Sequence, residues 1–219
     1  MTDAALIEDS VVQFPNRFEE IAEKEDFDLI MPFPAFPRTD SPRLTLRAVE
    51  AADLADLLEV NGDPQVTRFL PYATWQSLQD GEAWLARMQA LGASGASQQL
   101  VIGRREDAKV IGTLLLFKYD EGSRRIELGY ALGRSHWGQG LMREAVTAAC
   151  AQAFDALGIR RIEAEVNPDN LASCALLVGV GFALEGTLRK RWVAKGTAYD
   201  TNIYGCLAED WRSAHSDAH

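Results

Sequence analysis

The stretch Gly133-Arg-Ser-His-Trp-Gly-Gln-Gly-Leu-Met-Arg-Glu-Ala-Val146 links a strand pattern to a helix pattern through a Gly-x-Gly turn. Upstream of the turn, apolar residues alternate with polar or small ones from Ile126 to Leu132, which is the period of a half-buried strand. Downstream, apolar residues recur at spacings of three and four from Met142 to Leu157, which predicts a helix with one apolar face. Gly158 follows and is expected to end this helix.

Gly138 and Gly140 lack a Cβ atom, so the backbone of the turn can bend sharply and its N–H groups can approach a ligand. Because the turn lies at a helix N-terminus, where the helix dipole favours an anion, the pattern predicts a phosphate-binding site. The alternative is a tight loop that binds nothing, since short glycine motifs are often coincidental. The turn has neither the third glycine of a dinucleotide fingerprint nor the Gly-Lys-Ser/Thr of a P-loop, which disfavours a nucleotide-dependent reductase or transferase.

A second strand and helix follow. Polar and apolar residues alternate from Arg161 to Val166, which predicts a strand with one polar face. The turn Asn167-Pro-Asp-Asn170 then opens a helix to about Val178, and Gly179 and Gly181 are expected to close it. The order is therefore strand, glycine turn, helix, strand, Asn-Pro turn, short helix and a further strand.

With its elements in this order, the chain resembles the GCN5-related N-acetyltransferase (GNAT) superfamily, and within it the branch that acetylates ribosomal-protein N-termini and related amines. The segments that carry the resemblance are Glu127–Leu132, Trp137–Ala145, Asn167–Ser173, Val180–Phe182 with Glu185–Gly186, and Tyr199–Asp200 ahead of Asp210–Trp211. The resemblance covers Arg43 to Arg212. It implies an α/β (α+β) fold with a mixed, mostly antiparallel central sheet flanked by helices. The acetyltransferase domain is placed at residues 41–212, between an N-terminal extension (1–40) and a C-terminal tail (213–219).

The resemblance also implies acetyl-coenzyme A as the cosubstrate. Its pantetheine arm is expected along the strand that ends at Leu132, with Asn170 bonding to the arm. Its pyrophosphate is expected on the backbone of the glycine turn, which comprises Gly138, Gln139, Gly140, Leu141, Met142 and Arg143, with Trp137 directly before it. Trp137 replaces the usual Gln or Arg of the family, and Met142 replaces a small residue. Cofactor binding is still expected, because the backbone makes most of the contacts.

Glu127 is the candidate general base. On the predicted strand it shares a face with Gly129 and Ala131, so a substrate could lie close to this face, beside one carboxylate. An amine must lose a proton before it attacks a thioester, and a carboxylate can accept that proton directly or through water. The pattern alone favours a solvated surface position for Glu127, whereas the resemblance implies the role of base.

The leaving thiolate also needs a proton, which many superfamily members supply from a tyrosine seven residues after the helix asparagine. Leu177 occupies that position here. Ser173, one helical turn after Asn170, resembles the serine that has this role in the ribosomal branch, and the alternative is an ordinary small helix residue. Tyr130 is expected in the core. Acyl transfer is expected to be direct, without a covalent enzyme intermediate.

The segment Asp63–Trp75, between the first two predicted helices, borders the acceptor site in similar acetyltransferases. Arg68, Tyr72 and Trp75 are therefore expected to contact the acceptor, with a core position for Tyr72 and Trp75 as the alternative. The acceptor that the branch implies is a primary amine, at the N-terminus of a peptide or on a small molecule. A degenerate domain that binds coenzyme A or a protein partner without turnover is the other interpretation.

The composition agrees with a cytoplasmic enzyme. The 219 residues are 47% apolar, enough for a sizeable core. Cys150, Cys174 and Cys206 are odd in number and lie in helix or strand patterns, which predicts reduced thiols. These cysteines and the three histidines have no zinc-finger spacing, so no metal is expected. We expect no membrane span and no secretion signal, because no apolar run is long enough and the N-terminus has no basic, apolar leader.

The net charge of −10 comes mostly from residues 1–40, which hold ten acidic and three basic side chains. The nearly balanced remainder predicts no general nucleic-acid surface, which would need a basic patch. Phe14, Phe18 and Ile21 predict a short amphipathic helix in this extension, and the prolines at 32–37 predict an extended strap over the domain. A structural role is expected for the extension. The alternatives are that it lines the acceptor cleft or forms the interface of a homodimer.

Overall fold

Eight strands form one sheet in the computed structural model, which describes residues 33–215. The strands are β1 (Thr39–Asp40), β2 (Leu44–Ala48), β3 (Ser97–Arg104), β4 (Val110–Asp120), β5 (Arg125–Leu132), β6 (Arg161–Val166), β7 (Ala183–Ala194) and β8 (Thr197–Leu207). The helices are α1 (Leu54–Asn61), α2 (Leu78–Ala93), α3 (Leu141–Ala151), α4 (Leu171–Val180) and α5 (Ala208–His215). The strand order is β1-β2-β3-β4-β5-β6-β8-β7, and all neighbours are antiparallel except β5 with β6. The predicted mixed, mostly antiparallel sheet flanked by helices is confirmed.

Alternate residues of β3 face two separate cores, because successive side chains of a strand point to opposite faces of the sheet. Leu100 and Ile102 lie in the larger core with the apolar face of α3, whereas Val101 lies in the smaller core with α1 and α2. The helices therefore cover both faces. The described residues belong to one of the two units of the chain, Met31–His219. The helix expected around Phe14 to Ile21 lies outside the described residues.

The parallel pair β5 and β6 separates soon after it begins. Only Arg125, Ile126 and Glu127 pair with β6, although β5 continues to Leu132. Gly133, just after β5, donates its N–H to the carbonyl of Ile111 in β4 at 2.8 Å. Successive strand residues direct their backbone groups to opposite sides, so those of the even-numbered residues from Leu128 to Leu132 point away from β4. They face an opening between β5 and β6.

Glycines in the left-handed region end the two helices that flank this opening. Gly158, with φ of +64°, follows α3 and a short π-helical turn over Gln152–Ala156, and Gly181, with φ of +112°, follows α4. The expectation that Gly179 also closes α4 is wrong, because the helix continues through it to Val180. A Cβ at Gly179 would lie 2.6 Å from Nη2 of Arg143, so this glycine makes room for an arginine of α3.

The described part of the proline segment packs on the larger core. The side chains of Phe33 and Phe36 are buried, and the Phe33 ring meets the edge of Tyr119 at a centroid distance of 5.2 Å. The Phe33 N–H donates to the carbonyl of Gly95 at 3.1 Å. These contacts support an extended strap over residues 33–38. Among the described helices, none has the length and apolar character of a membrane span.

Candidate active site

Both glycines of the glycine turn have left-handed backbone conformations. Gly138 and Gly140 have φ of +72° and +73°, in the left-handed region that favours glycine, and both are exposed. Nothing lies within 4 Å of a Cβ built at Gly138. Gly140 is the N-cap of α3 and has no side chain to accept from the first N–H groups of that helix. These donors and the positive end of the helix dipole face the same side of the turn.

Arg43, at the start of β2, holds the turn from its other side. Its Nη1 donates to the carbonyl of Gln139 at 3.1 Å, and its Nε donates to Glu144 of α3 at 2.6 Å. Glu144 also accepts from the Arg43 N–H and from the Ser41 hydroxyl, both at 2.7 Å. Burial alone would raise the pKa of Glu144, but these hydrogen bonds outweigh it and lower the pKa. Glu144 is thus neutralised by Arg43 and does not leave an unpaired negative charge beside the turn.

The two residues that depart from the family pattern have defined places. Met142 is buried in the larger core, so its side chain points away from the exposed face of the turn. Trp137 is about half exposed, with 48% of its surface accessible, and its Nε1 donates to the carbonyl of Leu132 at 2.7 Å. The indole thereby ties the turn to the last residue of β5. Neither side chain comes within 4 Å of a Cβ built at Gly140.

Asn170 lies at the start of α4. It is the N-cap of the helix, and its Oδ1 accepts from the Ser173 N–H at 3.3 Å. The other polar group of its side chain, the NH2, is a donor. Asn170 therefore combines a capping role with a group that suits an amide carbonyl of a ligand.

Glu127 is buried, although the strand pattern alone favours a solvated position for it. It is 5% exposed and lies at the last position where β5 and β6 pair. The Lys118 ammonium contacts the Glu127 carboxylate directly and is 3.6 Å from Glu165 of β6. Lys118 reaches this face because it has φ of +52° at an irregularity in the pairing of β4 with β5. The carboxylate is thus desolvated and in contact with a primary ammonium group.

Ser173 of α4 and Tyr130 of β5 form a pair of hydroxyl groups. The Tyr130 hydroxyl and the Ser173 Oγ are 2.6 Å apart, and either can donate. Burial raises the pKa of Tyr130, so this hydroxyl stays protonated at neutral pH. Leu177 is fully buried in the larger core. Tyr130 is therefore more than the core residue that its pattern predicts, since it supplies a polar partner to Ser173.

We expect Ser173→Ala to cost less turnover than the loss of a general base, because solvent can also protonate a thiolate. The change removes the hydrogen bond of the partly buried Tyr130 hydroxyl to Ser173, so the free energy of unfolding should fall by about 0.5–1.5 kcal/mol. Tyr130→Phe is the matched control, because it removes the other half of the same bond. Steady-state kinetics and chemical denaturation of both variants measure the two effects. A loss of turnover in Ser173→Ala equal to that in Glu127→Gln would contradict the prediction.

The segment 61–75 is fixed at two points. The Asp63 carboxylate accepts from Nε of Arg134, beside the glycine turn, at 2.6 Å. Nζ of Lys195, at the tip of the β7–β8 hairpin, donates to the carbonyl of Thr67 at 2.7 Å. The Gln65 N–H and the Arg134 guanidinium lower the pKa of Asp63, which remains ionised. Because its charge is paired with Arg134, Asp63 is poorly placed to attract an acceptor ammonium.

The three candidate acceptor contacts of this segment differ in exposure. Arg68 is exposed, with its guanidinium carbon 4.8 Å from the centroid of the Phe69 ring. Tyr72 is half-buried and donates its hydroxyl to Oδ1 of Asn61 at 2.9 Å. Trp75 is buried in the smaller core, 5.5 Å from Trp84 between ring centroids. The structure therefore favours the core alternative for Trp75, and it leaves Arg68 as the most accessible of the three.

We expect Trp75→Ala to lower the free energy of unfolding by about 3–5 kcal/mol, because it opens a cavity in the core under α2. Arg68→Ala is the control from the same segment, and its effect should stay within about 0.5 kcal/mol, as for most exposed positions. Chemical denaturation measures both. If Trp75→Ala kept wild-type stability and only raised the KM for an acceptor, Trp75 would belong to the acceptor site after all.

Sequence reasoning missed Lys118, Glu165 and Arg43 as residues of the site. Lys118 continues the apolar run of β4, and regular strand alternation would place it on the face opposite Phe117. Arg43 and Glu144 are 101 residues apart in the chain. The alternation of polar and apolar residues in β6 predicts that Glu165 lies on the polar face of the strand, but it does not indicate which residue Glu165 contacts. No signal in the sequence brings these residues together.

Comparisons with known proteins agree with the fold. The family model described as Acetyltransferase (GNAT) domain matches residues 43–183. An uncharacterized N-acetyltransferase, p20 of Bacillus licheniformis, is 34% identical over 77% of this chain and 95% of its own length. The [ribosomal protein uS5]-alanine N-acetyltransferase of Escherichia coli is 27% identical over 80% of this chain and 92% of its own. The structure of Mycobacterium smegmatis RimJ in complex with CoA-disulfide superposes with a TM-score of 0.74 at 24% identity, covering 82% of this chain and 91% of that one.

The fold and the matches define an acyltransferase that transfers acetyl groups to nitrogen. The chain belongs to the GNAT acetyltransferase family.

Proposed function

We propose that this chain transfers the acetyl group of acetyl-coenzyme A to a primary amine, by direct attack of the amine with Glu127 as the general base. The acceptor is the N-terminus of a peptide or a small amine. The observation that carries the proposal is the place of Glu127: a buried carboxylate at the point where β5 and β6 part, already in contact with an ammonium group.

The residues present fit acetyl-coenzyme A. The exposed turn at Gly138 and Gly140, with the N-terminus of α3 behind it, suits a pyrophosphate. The side of β5 that does not pair with β6, from Leu128 to the N–H of Leu132, suits the amide groups of a pantetheine arm, which can bond to a strand edge as another strand would. The NH2 of Asn170 suits a carbonyl of the same arm. When bound, the cosubstrate supplies an acetyl group activated as a thioester.

The side chains around the opening then have distinct tasks. Glu127 accepts the proton that the acceptor ammonium must lose before its nitrogen can attack. The hydroxyl pair of Ser173 and Tyr130 provides a proton for the thiolate that leaves. Arg43, whose charge is paired with Glu144, has its Nη2 3.7 Å from a Cβ built at Gly140, so this N–H donor lies beside the turn. Burial of the site strengthens each of these electrostatic interactions.

The acceptor class rests on two arguments. The relative from Escherichia coli acts on the alanine of ribosomal protein uS5, and this chain matches 92% of its length. Glu127 and Glu165 both contact the Lys118 ammonium, so an acceptor ammonium that displaces Lys118 would find two carboxylates as partners. Arg68 and Tyr72 are proposed to contact the rest of the acceptor from the segment 61–75.

Acetyl-coenzyme A binding and an acceptor panel test the proposal. At about 100 times its dissociation constant, acetyl-coenzyme A should stabilise the fold by about 2.7 kcal/mol. Release of free thiol from acetyl-coenzyme A is then followed with peptides bearing free N-termini, polyamines, aminoglycosides and amino-acid amides. The same peptides with blocked N-termini are the matched control. Stabilisation with no turnover on any member of the panel would contradict the proposed activity.

One observation favours a second candidate, a domain that binds coenzyme A or a protein partner without turnover. The Lys118 ammonium contacts the carboxylate that would have to act as the base. Stabilisation by acetyl-coenzyme A without turnover is the result that this candidate predicts. The cytoplasmic location expected from the composition stays a prediction, as does a homodimer.

A further inference from the structure

The Lys118 ammonium lies across the opening between β5 and β6. It contacts Glu127 on β5 and is 3.6 Å from Oε1 of Glu165 on β6. Its side chain keeps 23% of its surface exposed, against 6% for Glu127 and 9% for Glu165. Lys118 is therefore the most accessible of these three charged side chains.

Glu165 is held in place from the β7 side. Trp192 donates its Nε1 to Oε2 of Glu165 at 2.7 Å, and Nη2 of Arg191 is 3.4 Å from Oε1. The two carboxylates thus come from strands on either side of the opening and meet at one ammonium group. An ammonium of this kind is also what the acceptor must bring to Glu127.

The surroundings of the Lys118 amine include the open edge of β5. Its Nζ is 5.3 Å from the centroid of the Phe117 ring. The same ring is 3.8 Å from a Cβ built at Gly129, two residues beyond Glu127 on the unpaired part of β5. Gly129 has no side chain to separate this ring from the strand edge. Lys118 therefore lies beside the stretch that the proposed function gives to the pantetheine arm.

A general base must contact the proton that it removes, directly or through one water. The acceptor nitrogen must therefore occupy a position next to the Glu127 carboxylate, and Nζ of Lys118, a primary amine, already occupies one. We propose that Lys118 is a self-acetylation site: without an acceptor, the chain transfers the acetyl group of acetyl-coenzyme A to its own Lys118. This inference rests on the proposed function, with Glu127 as the base.

The step balances without any further reactant. Glu127 takes one proton from the Lys118 ammonium, and the lone pair of Nζ attacks the carbonyl carbon of the thioester. The new C–N bond forms as the C–S bond breaks, and the coenzyme A thiolate leaves with the electron pair. The attacking nitrogen gives up its second proton as the amide forms, and one proton delivered through the Ser173 and Tyr130 pair or through solvent converts the thiolate to free coenzyme A. Glu127 then releases the proton that it accepted to solvent. The product is an amide at Lys118, without a positive charge.

The modification would change the entrance for acceptors. Acetyl-Lys118 no longer forms an ion pair with Glu127 or Glu165, so an incoming ammonium does not compete with Lys118 for these carboxylates. An acceptor that binds first displaces Lys118 from Glu127 and protects it from acetylation. Acceptor turnover and self-acetylation therefore compete for one position.

The test incubates the full chain with acetyl-coenzyme A and no acceptor, and maps acetylated lysines by peptide mass spectrometry over time. We expect Lys118 to gain one acetyl group in a first-order reaction whose rate constant does not depend on protein concentration. Lys109 is the internal control for chemical acetylation, because it pairs with a single carboxylate, Glu59, on an exposed surface. Lys118 should react about a hundredfold faster than Lys109, the range that a general base provides.

Two variants sharpen the test. Glu127→Gln should slow acetylation at Lys118 to the rate at Lys109, and Lys118→Arg keeps the positive charge but should show no acetylation at position 118. Acetylation of Lys118 no faster than of Lys109, or equally fast in Glu127→Gln, overturns the inference. If the acceptor panel is acetylated while Lys118 is not, only this inference fails. If acetyl-coenzyme A does not stabilise the fold, the proposed function fails with it.

Discussion

Glu127→Gln should reduce turnover by about a hundredfold or more, the contribution expected of a general base. The substitution keeps the size and shape of a side chain that is 5% exposed. It removes the proton acceptor and, with the negative charge, the ion pair to Lys118. Stabilisation by acetyl-coenzyme A should stay near the wild-type value, because the glycine turn is unchanged. Steady-state kinetics with any active amine of the panel, together with thermal melts with and without cosubstrate, measure both quantities.

Glu163→Gln is the matched control for this prediction. Glu163 pairs with Glu127 across β5 and β6, but its carboxylate bonds to Arg161 at 2.8 Å and Arg125 at 2.7 Å. We expect this variant to lose stability through those ion pairs and to keep its turnover when folded. Wild-type turnover in Glu127→Gln between about pH 6 and pH 9 would show that Glu127 has only a structural role.

Gly140→Asp should abolish the stabilisation of the fold by acetyl-coenzyme A. It places a carboxylate at the N-terminus of α3, where the pyrophosphate is proposed to bind, so like charges meet. The new carboxylate also lies within reach of Arg43, whose Nη2 is 3.7 Å from a Cβ at this position, and would take up its positive charge. At about 100 times the wild-type dissociation constant, the gain of about 2.7 kcal/mol should disappear. Thermal melts with and without acetyl-coenzyme A measure it.

Gly158→Asp is the control for backbone strain. Gly158 has φ of +64° against +73° for Gly140, is also exposed, and follows the other end of the same helical segment. Aspartate tolerates this conformation better than most residues. Gly158→Asp should keep its stabilisation by acetyl-coenzyme A, whatever its own loss of stability. A folded Gly140→Asp variant that is stabilised as much as the wild type would refute the phosphate site.

The glycine turn and the elements on either side of it could be predicted because they depend on residues close in the chain. Alternation over Ile126–Leu132 identified β5, and helical spacing after Gly140 identified α3. Gly138, Gly140 and Gly158 have positive φ, a conformation that glycine adopts without the steric penalty that a Cβ atom causes in other residues. The expectation at Gly179 failed because a glycine inside a helix can serve packing, here against Arg143, as well as termination.

The environment of Glu127 could not be predicted in the same way. The alternation of β5 placed Glu127 on a polar face, yet the side chain is buried, because a turn in the backbone at Lys118 brings an ammonium onto that face. Strand periodicity assumes regular pairing, and a bulge breaks the assumption. The position of Trp75 could not be predicted for a different reason. An aromatic side chain fits a contact with the acceptor and a core position equally well, and only the packing of α1 against α2 distinguishes the two.

The strand before the glycine turn, the turn itself and the helix after it follow from the sequence, because periodicity and glycine conformations are local properties of the chain. The candidate site residues came from the resemblance to the family and stay predictions. Tertiary structure decided where β5 and β6 part and which charges meet there. Lys118, Glu127 and Glu165 come from three different strands, and Arg43 reaches Glu144 across 101 residues. Such contacts depend on strand register and on one irregular residue in β4, and neither is encoded in the spacing of apolar residues.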